Sequence, residues 1–286
     1  MNGLETTPGA IVVAVGNQKG GVGKTTTAVH LAHALAERGH RTLVWDLDIN
    51  AGATKHLGVE PDAFMGTYEV LAAGEDPLSV VLTGQEEGVE LPADVHLIPS
   101  RRRLEQLDAA LNERSKFIAK SEILHEPVRT LRGHYDIIIL DTPPNTATAP
   151  AVAAYAVAHH FLLTAMPDPL AVAGLAEAVD DIAAARRHAN PQLHLLGVLL
   201  GGVDSRTKLA RQLVAYVDDA FGGNGSGDSR KLDTTLHRST VVPQAQRLGT
   251  TVLAHAPDHK LADQFRALGA EVEDRLRSHQ REVQGG

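Results

Sequence analysis

The chain has 286 residues and is 43% hydrophobic but only 3% aromatic, which suits a large core made mainly of Ala, Val and Leu. It contains no cysteine, which excludes disulfides, thiolate metal sites and iron–sulfur clusters, and its net charge of −8 argues against a protein that coats a polyanion. The first residues do not resemble a signal peptide and no apolar run could span a bilayer, so we expect a cytoplasmic protein. We expect one domain over residues 11–277, with a flexible N-terminus at 1–10 and a polar tail at 278–286.

A glycine-rich stretch at residues 17–26, NQKGGVGKTT, dominates the first part of the chain. The apolar run at 11–15 predicts a buried strand before it, and apolar residues at helical spacing over 28–35 predict a helix after it. Strand, glycine loop and helix are the context of a phosphate-binding loop, in which Lys24 reaches the β- and γ-phosphates and the Thr25 hydroxyl binds Mg²⁺. The predicted phosphate-binding residues are Lys19, Gly20, Gly21, Val22, Gly23, Lys24, Thr25 and Thr26.

Acidic residues follow two further predicted strands. The strand at 41–47 leads into Asp46 and Asp48, and the apolar strand at 135–140 leads into Asp141-Thr142-Pro143-Pro144. Since ligands of open α/β sheets bind beyond the carboxyl ends of the strands, these acids are expected to face the bound phosphates. Asp141 then has the position of a Walker B acid that holds a Mg²⁺-bound water.

The rest of the chain continues the alternation of strands and helices. Further strands are predicted at 95–100, 160–165, 193–200 and 250–253. Helices are predicted at 101–114, at 170–187, from the segment 201–208 to Phe221, and at 259–277. Arg101, Arg102 and Arg103 stand at the start of the first of these helices, which suggests an anionic partner. Buried strands that alternate with helices are typical of a parallel sheet covered on both faces.

These motifs resemble the ParA/MinD family of P-loop ATPases, and most of all its ParA, or Soj-like, partitioning members. The deviant Walker A motif K-G-G-x-G-K-T-T is complete, with Lys19 as its signature lysine and Gln18 where a strict P-loop has glycine. The D-x-D and D-x-P-P motifs are present, although Ile49 and Asn50 replace the usual Pro and Gln. The resemblance implies a three-layer α/β/α fold around a mostly parallel, twisted sheet.

The resemblance also implies roles for individual residues. Lys19, Lys24 and Asp48 would be catalytic: Asp48 positions the attacking water, and Lys19 reaches the phosphates of the partner in an ATP-bound homodimer. Mg²⁺ would be held by Thr25, with Asp48 and Asp141 acting through water. ATP hydrolysis would be slow until a ParB-like partner stimulates it.

The expected partner of the ATP-bound dimer is non-specific DNA, which would place the protein on the nucleoid in chromosome or plasmid partition. The DNA-binding residues implied by the resemblance are Arg206, Lys208, Arg211 and Arg238. Alternatives are a MinD-like ATPase that binds membranes, a ParA-like ATPase with a non-DNA cargo, and a nucleotide-gated module without hydrolysis. The polar tail is poorly suited to a bilayer interface, so no stable membrane association is expected.

Overall fold

The computed structural model describes residues 9–114, 119–223 and 229–285. Seven strands form one sheet in the order β3-β2-β4-β1-β5-β6-β7, and every neighbouring pair is parallel. The strands are β1 Ile11–Gly16, β2 Thr42–Asp46, β3 Val95–Ile98, β4 Ile137–Asp141, β5 His160–Ala165, β6 His194–Val203 and β7 Lys231–His237.

Helices cover both faces of the sheet. The α-helices are α1 Lys24–Ala36, α2 Gly52–His56, α3 Leu107–Arg114, α4 His125–Leu131, α5 Ala149–Val157, α6 Ala171–His188, α7 Lys208–Phe221, α8 Val241–Arg247, α9 Val252–His255 and α10 Lys260–Gly285. A π-helix spans Glu69–Ala73, and 3₁₀-helices span Pro77–Val80 and Arg102–Gln106.

Alternate residues of the strands enter two separate hydrophobic cores, because successive side chains of a strand point to opposite faces. In β1, Val12 and Ala14 pack with helices α3 to α7, whereas Val13 and Val15 pack with α1, α8, α9 and α10. The predicted three-layer α/β/α fold is therefore confirmed, and the sheet is parallel throughout the described residues.

The last helix, α10, contacts both the edge strand β7 and the residues that follow α1. Its Glu271 accepts hydrogen bonds from the backbone N–H groups of Asp233 (2.8 Å) and Thr234 (2.9 Å) in β7, and Arg275 donates to the carbonyl of Lys231 (2.6 Å). These contacts occupy backbone groups at the edge of the sheet.

A buried carboxylate connects the same helix to the first one. Glu273 of α10 is 2% exposed and accepts hydrogen bonds from Arg38, from His40 (2.9 Å) and from Arg277. Arg38 and His40 directly follow α1, so this cluster fixes α10 against the end of α1. The two helices also pack closely, since a Cβ on Gly269 would lie 2.9 Å from that of Ala34.

Some local predictions are wrong. Residues 250–253 were expected to form a strand, but Thr251 caps the short helix α9 by accepting a hydrogen bond from the N–H of Ala254 (3.3 Å). The expected helix at 101–114 is divided into a 3₁₀ turn and α3, although Leu104, Leu107 and Leu111 are buried as predicted.

The structure describes residues at both ends of the predicted domain. Ala10 belongs to the domain, because it is 1% exposed and its N–H donates to the carbonyl of Arg132 (2.9 Å). The rest of the predicted flexible N-terminus, residues 1–8, lies outside the described residues. At the other end, α10 continues through the predicted tail to Gly285. No helix in the described parts of the chain is long and apolar enough to cross a membrane.

Candidate nucleotide site

The loop between β1 and α1 has the backbone of an open anion cradle. Gly21 and Gly23 have φ angles of 74° and 86°, in the left-handed region where glycine is favoured. A Cβ on Gly20 or Gly21 would meet no atom of residues 9–114, 119–223 or 229–285 within 4 Å. No side chain of the described residues caps the N-terminus of α1, so the amides of its first turn, which includes Lys24, Thr25 and Thr26, are available to an anion.

Lys24 lies inside this cradle. It is 6% exposed, and its ammonium donates a hydrogen bond to the carbonyl of Lys19 (2.8 Å). Burial lowers the pKa of Lys24, while the negative charges of Asp141 and Asp48 act in the opposite direction. The lysine therefore lies near both acids, as expected for a group that balances phosphate charge beside a metal site.

Asp141, at the end of β4, is fully buried, and its Oδ2 accepts a hydrogen bond from the Thr25 hydroxyl (2.7 Å). Its other oxygen, Oδ1, is buried without a hydrogen-bond partner among the described residues. Burial raises the pKa of Asp141 well above its usual range, and the nearby Asp46 raises it further. A divalent cation would supply the positive charge and the oxygen contact that this carboxylate lacks, so Thr25 and Asp141 fit a Mg²⁺ site.

Asp46 is the last residue of the adjacent strand, β2, and supports the turn that follows it. Its Oδ2 accepts hydrogen bonds from the backbone N–H (2.9 Å) and the hydroxyl (2.7 Å) of Thr54, and its Oδ1 accepts from the N–H of Asp48 (3.1 Å). Burial raises the pKa of Asp46 to about 6 in spite of these bonds. Asp46 thus fixes the turn that carries Asp48.

Asp48 is partly exposed at the same edge of the sheet. Its Oδ1 accepts hydrogen bonds from the backbone N–H and the side-chain amide of Asn50 (both 2.9 Å), and its carbonyl accepts from the Ser100 hydroxyl (2.7 Å). Ala51 closes the turn with a φ of 51°, which is uncommon for a residue other than glycine. Asn50, which departs from the family motif, therefore orients the carboxylate of Asp48.

Lys19 lies at the outer side of the loop and pairs with Asp168, which follows β5. The backbone N–H of Lys19 donates to Asn17 Oδ1 (2.9 Å), and the amide of Asn17 donates to the carbonyl of Thr164 (2.8 Å). The side chain of Gln18 donates to Asp181 of α6 (2.6 Å).

Sequence reasoning did not identify these supporting acids. Asp168 follows a correctly predicted strand, so a position at the carboxyl edge of the sheet could have been inferred, but not that this strand lies beside β1. Asp181 lies within the long helix α6, and no sequence pattern distinguishes it from other helical acids.

The predicted DNA-binding residues lie at the ends of the next two strands. Arg206 and Lys208 follow β6, Arg211 is in the first turn of α7, and Arg238 follows β7, where its N–H donates to the carbonyl of Val203 (3.1 Å). All four are exposed. Arg206 is paired with Asp204 (2.7 Å) and lowers the pKa of that carboxyl to about 2.

The sheet is parallel, a glycine loop follows β1, and acids stand at the ends of β2 and β4. This arrangement defines a P-loop NTPase, and Lys19 is the second lysine of its loop. Residues 10–195 match the family model described as the AAA domain. The chain is 33% identical to the chromosome-partitioning ATPase Soj of Thermus thermophilus over 92% of this chain and 96% of the relative. The chain therefore belongs to the ParA/MinD family of P-loop ATPases, as the sequence motifs indicate.

Solved structures are similar over nearly the whole chain. Cobyrinic acid a,c-diamide synthase from Mycobacterium smegmatis, solved with ADP and magnesium, superposes with a TM-score of 0.76 at 26% identity, covering 94% of this chain and 96% of that one. MinD of Pyrococcus horikoshii, complexed with Mg-ADP, gives a TM-score of 0.70 at 22% identity, covering 92% and 96%. The second likeness shows the shared fold.

Proposed function

We propose that this protein is an ATP-dependent DNA-partitioning ATPase. It binds ATP and Mg²⁺ on the Lys19–Thr26 loop, forms a homodimer around the nucleotides, binds DNA in that state, and is released when a ParB-like partner stimulates hydrolysis. The observation that carries the proposal is the convergence of Lys24, Thr25, Asp48 and Asp141 at one sheet edge in a chain 33% identical to Soj.

Each residue of the site has a separate role in binding or hydrolysing ATP. The glycine amides and the N-terminus of α1 bind the phosphates, and Lys24 balances their charge. Thr25 and Asp141 would hold Mg²⁺, which would supply positive charge to balance the negative charge of the phosphates. Asp48 aligns the attacking water, because its carboxylate is fixed at Oδ1 by Asn50 while no hydrogen bond within the described residues engages Oδ2. Phosphoryl transfer depends mainly on such positioning.

Lys19 has its role between two subunits. Its side chain is 26% exposed at the outer side of the loop and is not directed into its own cradle, since it pairs with Asp168. From the surface it supplies charge to the phosphates bound by the partner, in the way that an arginine finger acts in trans. ATP is then the contact that holds the dimer together.

DNA binding uses the exposed basic residues beyond β6 and β7. Arg206, Lys208, Arg211 and Arg238 come from two neighbouring strand ends on an otherwise acidic protein. A small cluster of this kind contacts phosphates without reading bases, and dimerisation doubles the number of contacts. Binding should therefore require ATP and weaken steeply with salt. Association with the nucleoid follows.

The test is binding of random-sequence duplex DNA with ATP, with ADP and without nucleotide, across a salt series. Each phosphate contact contributes about 0.9 to the slope of log K against log salt, so Arg206→Ala with Arg238→Ala should reduce that slope by roughly 2 to 4 per dimer. Arg129→Ala is the matched control, since Arg129 is similarly exposed and also pairs with a neighbouring acid, Glu126. The proposal is contradicted if DNA binding is the same with and without ATP, or if the double substitution leaves the slope of log K against log salt unchanged.

The alternatives keep this ATPase site and differ in what the dimer binds. The fold shared with MinD makes co-sedimentation with liposomes in the presence of ATP the direct test of a membrane partner. A non-DNA cargo would appear as a different protein bound by the ATP-bound dimer. A module without hydrolysis would release no phosphate in a steady-state assay.

A further inference from the structure

The end of the outermost strand, β3, lies beside the turn that carries Asp48. Ser100 follows this strand by two residues, is 1% exposed, and has no role in the proposed function. Its hydroxyl donates a hydrogen bond to the carbonyl of Asp48 (2.7 Å), and its backbone N–H donates to the hydroxyl of Thr54 (2.8 Å). One buried residue of a neighbouring strand end thus contacts both ends of the segment 48–54.

The contacts of Ser100 complete a ring of hydrogen bonds. The Thr54 hydroxyl donates to Asp46 Oδ2 (2.7 Å), and Asp46 Oδ1 accepts from the N–H of Asp48 (3.1 Å). Ser100, Thr54 and Asp46 are each at most 1% exposed, and hydrogen bonds in such a low-dielectric surrounding are stronger than in water. The backbone of Asp48 is therefore held at its N–H by Asp46 and at its carbonyl by Ser100.

The segment that carries Ser100 is itself anchored to β2. The backbone N–H of Thr67 donates to the carbonyl of Pro99 (2.9 Å), and the Thr67 hydroxyl donates to the carbonyl of Asp46 (2.7 Å). A Cβ on Gly66 would lie 2.0 Å from the carbonyl oxygen of Pro99, so the chain at 66–67 packs closely on the end of β3. Ser100 thus extends from a supported part of the fold.

We infer that Ser100 is a positioning residue for ATP hydrolysis and acts by holding the backbone of Asp48. The inference rests on the proposed function, in which Asp48 aligns the attacking water. Asn50 orients the carboxylate of Asp48 but lies exposed in the same turn, so it does not fix that turn relative to the sheet. Ser100 belongs to a different strand end and supplies this fixed point.

The effect should fall on hydrolysis and not on ATP binding. Phosphoryl transfer is sensitive to displacements of about 1 Å, so a looser Asp48 turn slows the reaction. ATP binding depends on the loop after β1, which Ser100 does not contact among the described residues.

The experiment removes the hydroxyl in Ser100→Ala. The carbonyl of Asp48 still accepts a hydrogen bond from the N–H of Ala51 (2.9 Å), so it keeps a partner and the variant should fold. Ser79→Ala is the matched control. The Ser79 hydroxyl also donates to the carbonyl of an aspartate, Asp76 (2.7 Å), but in an exposed turn that carries no residue of the site.

Two measurements report separately on the turn and on the reaction. In nucleotide-free protein, hydrogen exchange followed by NMR should be about three- to tenfold faster at the amides of Asp48 and Ala51 in Ser100→Ala, the effect of one hydrogen bond. In steady-state phosphate release, kcat should fall roughly 5- to 50-fold, while the KM for ATP changes by less than about twofold. In an Asp48→Ala background, Ser100→Ala should not lower the rate further. Ser79→Ala should match the wild type in both measurements.

The outcomes separate this inference from the proposed function. Unchanged exchange in Ser100→Ala overturns the contact, and faster exchange with an unchanged kcat, in a wild type that hydrolyses ATP, overturns the positioning role. A further loss of rate in the Asp48→Ala background, or equal effects of Ser79→Ala, also overturns it. A wild type that hydrolyses no ATP, while exchange in Ser100→Ala is still faster, refutes the proposed function and with it the role of Ser100.

A second pair of variants keeps the test decisive if Ser100→Ala does not fold. Thr54→Val removes the hydroxyl that accepts from Ser100 and donates to Asp46, whereas Thr54→Ser keeps it. The valine variant should show faster exchange and a lower kcat, and the serine variant should restore the wild-type values. Wild-type values in Thr54→Val, or an equal loss in both variants, overturn the inference.

Discussion

Two neighbouring glycines of the phosphate loop allow the cost of its backbone conformation to be measured directly. Gly20 and Gly21 both have open space where a Cβ would lie, but only Gly21 has a left-handed φ, of 74°. Alanine at Gly21 should cost about 1–2 kcal/mol, because a left-handed conformation brings Cβ close to the following carbonyl oxygen. Alanine at Gly20 should be neutral or stabilising by up to about 1 kcal/mol, since it restricts the unfolded chain.

The strain should appear in nucleotide affinity. In free protein, Gly21→Ala can relieve the strain by rearranging the loop, and ATP binding must then restore the cradle. Since 1.4 kcal/mol corresponds to a factor of ten, the cost predicts a loss of roughly 5- to 30-fold in ATP affinity. Isothermal titration with ATP and with ADP measures this loss of affinity. Thermal unfolding of the free protein measures the part of the strain that the loop does not relieve. Equal affinities and equal unfolding midpoints for the two variants would refute the assignment of these glycines.

Three further substitutions test the site and the scaffold. Lys24→Ala should abolish ATP binding, because it removes the buried positive charge of the cradle; normal affinity in a titration would contradict its role. Asp48→Ala should bind ATP normally but trap the dimer, so wild-type phosphate release would show that Asp48 does not position the water. Glu273→Gln should lower the free energy of unfolding by about 2–3 kcal/mol at pH 7, because it removes the negative charge from a buried ion cluster but keeps part of its hydrogen bonding. Glu282→Gln, at an exposed position of the same helix, should leave the free energy of unfolding unchanged. Because folding lowers the pKa of Glu273 below 4.5, this difference should be complete above pH 4.5 and disappear as pH falls through the folded pKa.

The parts of the site that are local in sequence could be predicted. Each follows an apolar strand, so the glycine-rich motif together with strand direction predicted that Lys24, Asp48 and Asp141 lie at one edge of the sheet. The contacts that fix these residues are distant in sequence. Lys19 meets Asp168 and Asn17 meets Thr164 only because β1 and β5 are neighbours, which no local pattern reveals.

The wrong predictions have similar causes. The edge strand β7 is missing from the predicted strands, because it has only two buried apolar residues, Leu232 and Leu236, and their spacing of four suits a helix as well as a strand. The β-branched residues at 250–252 favour a strand, but Thr251 can also cap a helix, and the structure has that capping bond.

The contacts of α10 have a consequence for the order in which the protein can fold. The helix supplies the side chains that occupy the edge of β7, and it also buries Glu273 against the residues that follow α1. During synthesis, therefore, the outer strand stays available for unwanted pairing, and the first helix lacks its main neighbour, until residues 264–277 have emerged. A newly made chain thus depends on a late segment of α10 to cover the edge of β7 and the end of α1, so its dependence on chaperones should be greatest just before that segment has emerged.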